Sequence, residues 1–108
     1  MTLTPKFYKH KKVLVVDDCD PVRASIKSML QKIGFEHIAT VSDANAAIAN
    51  CTEVEYDFIL SDFSLGEGKD GYQLFEALKA EHCLKHSCCF IVVSGERHRQ
   101  AVYGMIEF

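Results

Sequence analysis

Val13-Leu14-Val15-Val16-Asp17-Asp18-Cys19-Asp20-Pro21 passes from an apolar run through an acidic pair to a helix start. Four branched aliphatic residues with no polar alternation are the pattern of a strand covered on both faces, as in a parallel sheet. Two more runs share that character. Phe58-Ile59-Leu60-Ser61 leads into Asp62, and Phe90-Ile91-Val92-Val93 leads into Ser94-Gly95. In an open parallel sheet the carboxyl ends of neighbouring strands line one crevice, and ligands bind there. An acidic pair, a third carboxylate and a hydroxyl are therefore predicted to meet at one end of the sheet.

Helical patterns fill the spaces between these runs. Asp20-Pro21 suits a helix start, with Asp as N-cap and Pro at the first helical position. Val22, Ile26, Met29, Leu30 and Ile33 recur at helical spacing and are expected to form its apolar face, with Gly34 as the stop. His37 to Val41 reads as a short second strand. Ser42 or Asp43 can cap an Ala-rich helix from Ala44 to Asn50. After Phe58–Ser61 comes a loop, Phe63 to Asp70, then a helix from Tyr72 to Glu81 burying Leu74, Phe75 and Leu78. Cys89 to Val93 is the fourth strand, and Arg97 to about Ile106 is expected to be helical. The order βαβαβαβα implies one parallel sheet with helices on both faces.

With 108 residues, 48% of them hydrophobic and 25% charged, the chain suits one globular domain. Residues 1–11 read as a lead-in and 12–108 as the domain. The net charge of −3 gives no reason to expect a nucleic-acid surface. No apolar stretch is long enough for a membrane-spanning helix, and the N-terminus lacks the apolar core of a signal peptide. A cytoplasmic location is expected, and the five cysteines are expected to be free thiols.

The chemistry of the acidic residues points to phosphoryl groups. A carboxylate attacks a phosphoryl group poorly because both are anionic. A hard divalent cation removes that repulsion, and Mg²⁺ favours one or two carboxylates with phosphate oxygens and waters. An acidic pair to hold metal and a separate aspartate to attack are both present. Such a surface, taking up a phosphoryl group and reporting the event, is expected to be a switch rather than an enzyme.

VLVVDDCDPVRASIKSMLQKIGF, YDFILSDFSLGEGKDGYQLFEALK and FIVVSGE, in that order, closely resemble the receiver domain of two-component response regulators. The resemblance implies a flavodoxin-like three-layer α/β/α sandwich with strand order 2-1-3-4. It implies Asp62 as phosphoacceptor and Asp17, Asp18 and Asp62 as Mg²⁺ ligands, joined by the backbone carbonyl of Ser64. Ser94 stands where the family has its switch hydroxyl. The implied partner is a sensor histidine kinase or a His-containing phosphotransfer protein, with no membrane or direct nucleic-acid contact.

Two departures stand out. The loop after Asp62 carries Phe63-Ser64-Leu65-Gly66-Glu67-Gly68-Lys69 where the family usually has Met-Pro. Members of the family also carry a Lys at the end of a fifth strand, then a fifth helix, and the resemblance leads one to expect both to be missing from this chain. The chain is accordingly expected to be cut short, leaving the fourth strand as an exposed edge and favouring a homodimer along that strand or the fourth helix.

Other readings compete for the same residues. Asp18-Cys19-Asp20 after a strand also fits the start of a haloacid-dehalogenase-type phosphatase, with Asp18 as nucleophile and Asp20 as general acid. His82, Cys83, His86, Cys88 and Cys89 form a cluster that could bind zinc, although their spacing matches no standard finger. A receiver used only for docking is a third alternative. The acids could also be simple helix caps, and Ser94 could cap the following helix.

Overall fold

The computed structural model describes residues 8–66, 68–94 and 101–107. Strands β1 (Lys12–Val16), β2 (His37–Val41), β3 (Phe58–Asp62) and β4 (Cys89–Ser94) alternate with helices α1 (Asp20–Ile33), α2 (Ala44–Glu53) and α3 (Gly71–Ala80), and β5 (Ala101–Glu107) follows. The sheet order is β2-β1-β3-β4-β5. The first four strands are mutually parallel, with Val16 level with Ser61 and Asp62 level with Val93. This is the expected flavodoxin-like arrangement, and its register brings the ends of β1, β3 and β4 to one rim.

The apolar runs that predict the strands also form the core. Leu14 and Val16 point to one face with Ile59, Phe90, Leu74 and Leu78. Val13 and Val15 point to the other with Leu30 and Phe35. Phe90, Leu14, Ile59, Leu74 and Leu78 are the largest side chains to be wholly enclosed. Each contributes about 1.5–3 kcal/mol by leaving water. Asp43 and Asp70 cap α2 and α3 by accepting the amides of Ala46 and Gln73. At α3 the cap is reciprocal, because the Gln73 side chain accepts the Asp70 amide at 2.9 Å.

Three expectations need correction. The N-cap of α1 is Cys19, without a side-chain cap bond, and Asp20 is the first helical residue. Its carboxylate is drawn instead to the Arg23 guanidinium one turn along. Second, only part of the predicted apolar face of α1 is covered. Leu30 is buried and Ile26 packs against the core. Val22, Met29 and Ile33 stay 44%, 57% and 49% exposed. The helix packs chiefly on β1 and β2. Beside it, Val22, Ile26, Met29, Leu60 and Val93 line an open groove of about 670 Å³ that reaches Asp17 and Asp62.

The third correction concerns the last segment. Of the expected helix from Arg97 to Ile106, residues 97–100 lie outside the described residues, and Ala101–Glu107 is a strand antiparallel to β4. The pairing runs from Cys89 with Glu107 to Ser94 with Ala101, with a register shift at Val92/Val93. So β4 is not an edge, and a homodimer along a bare β4 or along a fourth helix over 101–107 loses its structural basis. Val102, Tyr103 and Ile106 favour strand, and Gly104 disfavours helix. Among the described residues, no helix is long and apolar enough to cross a membrane.

Candidate functional site

Asp17 and Asp18 follow β1 directly, and Asp62 closes β3. Parallel pairing of these strands sets the three acids side by side, and one carboxylate oxygen from each lies within 4.8 Å of the others. Asp17 is buried, Asp62 half-buried and Asp18 exposed. The backbone holds Asp17 firmly. Its amide donates to the Val41 carbonyl at 3.1 Å, tying it to the end of β2. Its carboxylate accepts the Cys19 amide at 2.8 Å, and its carbonyl accepts from Arg23 Nη1 at 2.7 Å.

Asp62 is anchored from the other side. Just beyond it, the Phe63 amide donates to the Val93 carbonyl at 2.8 Å, continuing the ladder onto β4. Partial burial and the charges of Asp17 and Asp18 push the Asp62 carboxyl above its ordinary value, while backbone hydrogen bonds from Ser64 and Phe63 partly offset this. Three carboxylates this close repel one another, and a small hard cation between them would remove the repulsion. The all-oxygen donor set, open to solvent at Asp18, suits Mg²⁺ better than a softer metal.

The other candidates fare differently. Ser64 lies two residues past Asp62, with its backbone bonded to that carboxylate. Ser94 closes β4 one position beyond Val93, the partner of Asp62 in register. The part expected of its hydroxyl lies outside the described residues. Asp20, the general acid of the phosphatase reading, is exposed and paired with Arg23 outside the acidic trio. Among the described residues, that trio is the one group of three or more potential ligands close enough to share a metal. His82, Cys83, His86, Cys88 and Cys89 do not converge. Cys88 is turned wholly into the core, and burial pushes its thiol up to about 12.

The expected loop from Phe63 to Asp70 frames the site, and its left-handed turns are what sequence reasoning left undescribed. Gly66 and Gly68 adopt φ of +75° and +100°, the left-handed region that favours glycine. Leu65 between them and Ser64 is buried in the core, pinning the loop from within. The paired glycines at 66 and 68 are the signal that this loop turns twice.

Residues 13–107 match the family described as the response regulator receiver domain. The chain is 30% identical over 91 residues to the chemotaxis protein CheY of Pseudomonas aeruginosa, covering 84% of this chain and 73% of that protein. It is 26% identical to CheY-3 of Vibrio cholerae, covering 87% and 72%. Among solved structures, a CheY-like receiver domain from Methylobacillus flagellatus superimposes with a TM-score of 0.72 at 24% identity, over 82% of this chain and 72% of that one. The receiver domain of the histidine kinase CKI1 from Arabidopsis thaliana, complexed with Mg²⁺ and BeF₃⁻, gives 0.69 at 24% identity, over 85% and 70%. With nearly the whole sequence matched and the fold shared, this chain belongs to the response regulator receiver domain family.

Proposed function

We propose that the chain is a phosphoacceptor switch in which Asp62 takes a phosphoryl group from a phosphohistidine on a sensor histidine kinase or phosphotransfer protein. A carboxylate oxygen of Asp62 forms the new P–O bond. The P–N bond to the donor imidazole breaks, its electron pair returns to the ring nitrogen, and that nitrogen takes a proton. Asp17 and Asp18, with Asp62 and the Ser64 carbonyl, would hold Mg²⁺, as the complex of the plant kinase receiver supports. Bound there, the ion screens the negative charge that otherwise keeps carboxylate and phosphoryl apart.

The protein's own contribution is placement. The Phe63–Val93 bond fixes the backbone at the acceptor, and the Cys19 amide orients the Asp17 carboxylate. Ser94, at the end of the neighbouring strand, is proposed as the hydroxyl that meets the phosphoryl oxygen. The acyl phosphate is a stored state rather than a released product, so the chain acts as a signalling module and not as a turnover catalyst.

The observation carrying this reading is the meeting of three carboxylates within 4.8 Å at the carboxyl ends of β1 and β3. Incubation with Mg²⁺ and acetyl phosphate, followed by intact mass and peptide mapping, tests it. One added phosphoryl on Asp62, absent from Asp62→Asn, is the expected result. Label on Asp18 would hand the site to the phosphatase reading, and label persisting in Asp62→Asn would remove Asp62 from the role.

A further inference from the structure

The loop between β3 and α3 approaches the Asp62 backbone too closely for a Cβ to fit without a shift, and approaches the Asp18 carboxylate tightly. A Cβ at position 71 would lie 2.6 Å from the Asp62 carbonyl oxygen, 3.1 Å from Phe63 Cα and 3.2 Å from Ser61 Oγ. The first two neighbours are backbone atoms of the acceptor segment and cannot swing aside. A Cβ at position 66 would lie 3.2 Å from Asp18 Oδ2. At Gly68, two residues on, a Cβ would meet nothing within 4 Å. Close approach thus occurs at two points, at Gly66 against Asp18 and at Gly71 against the Asp62 backbone.

The loop is also held shut. The Gly71 amide donates to the Phe63 carbonyl at 2.7 Å, joining the first helical residue of α3 to the residue after the acceptor. The Asp70–Gln73 capping box fixes the helix start, so α3 has little freedom to slide away from an added methyl. Leu65 anchors the middle of the loop in the core. From these contacts we infer that Gly66 and Gly71 are positioning residues of the metal site. Lacking side chains, they let the loop close on Asp18 and on the Asp62 backbone, and so set the spacing of the carboxylates. The inference rests on the reading of Asp17, Asp18 and Asp62 as a Mg²⁺ site.

Gly68 supplies the control. Its φ is also left-handed, so Gly68→Ala imposes the same kind of backbone strain on the same loop without touching the site. Mg²⁺ affinity would be measured on the full chain by calorimetry or by amide chemical shifts, with no phosphodonor present. Gly66→Ala and Gly71→Ala are expected to weaken Mg²⁺ binding on the order of tenfold, and Gly68→Ala by no more than about twofold. Should Gly71→Ala fail to fold, the Gly66→Ala and Gly68→Ala pair decides alone. Equal affinities for those two variants would overturn the inference, because loop strain and not contact would then be the cause. A wild-type chain that binds no Mg²⁺ would overturn the reading of the site and this inference with it.

Discussion

Asp57 and Asp62 bracket the same strand, and their surroundings drive them in opposite directions. Burial raises both. At Asp57, one residue before β3, that effect is outweighed by a hydrogen bond from Lys85, another from the Lys12 amide, and the charges of Lys85 and Lys11, so its carboxyl titrates below its ordinary value. Its backbone joins the work, donating to the Lys12 carbonyl at 2.8 Å and accepting the Cys89 amide at 2.9 Å. At Asp62 the nearest charges are Asp17 and Asp18, and the carboxyl titrates above its ordinary value. One end of the strand spends its acid on holding β1, β3 and β4 together. The other keeps its acid strained by like charges and ready for a cation.

The largest effect separating the two ends should come from chemistry. Asp62→Asn should abolish phosphoryl labelling, whereas Asp57→Asn should leave the labelling of folded protein intact. Labelling lost equally in both would mean that the lower end is part of the site. Stability should invert the ranking. Asp57→Ala leaves Lys85 and the Lys12 amide without their acceptor in a site where the Asp57 and Lys85 side chains are only 14% and 27% exposed. A loss of about 2 kcal/mol is expected, equivalent to about 10 °C in Tm.

Acid should sharpen the contrast. Because the folded-state pKa of Asp57 is lowered, its contribution is present above the unfolded value and is lost as pH falls through the folded one. The penalty of Asp57→Asn in urea unfolding should be full at neutral pH and should shrink below the ordinary value of 3.8. A penalty independent of pH would assign it to packing.

Mg²⁺ should stabilise the wild type but not Asp62→Asn. At ten times its Kd the gain is about 1.4 kcal/mol, readable as a rise in Tm. The smallest effect is in metal-free protein. Asp62 has a raised folded pKa, so its ionised form costs stability once pH rises above the unfolded value. Asp62→Asn should therefore be slightly more stable at neutral pH, by under about 1 kcal/mol. A clear loss instead would show that the Asp62 carboxylate supports the fold.

Much of this was legible because parallel strands announce themselves as unbroken apolar runs. β1, β3 and β4 fall where Val13–Val16, Phe58–Ser61 and Cys89–Val93 place them, and the acids follow by register. The cap at Asp43 was one of two that local chemistry offered, whereas the Asp70 cap was read only as part of a turn because the helix was expected to begin at Tyr72 rather than Gly71. Periodicity fails where it must decide what covers a face: Val22, Met29 and Ile33 share a helical stripe with Leu30 yet remain exposed. The helix expected near the end came from extrapolating the β-α alternation, against the strand preference of Val102, Tyr103 and Ile106. The Asp57–Lys85 clamp left no local trace, because its partners stand 28 residues apart and meet only through tertiary packing.

The hydrogen bond from the Phe63 amide to the Val93 carbonyl gives the molecule a built-in reporter. That hydrogen can leave for deuterium only when β3 and β4 part immediately beside Asp62. Its exchange rate therefore reads how tightly the backbone at Asp62 is held, separately from the global unfolding that governs amides in the middle of β1. If Asp62 takes up a phosphoryl group as proposed, this one rate should change first, and the same amide would time the return on hydrolysis.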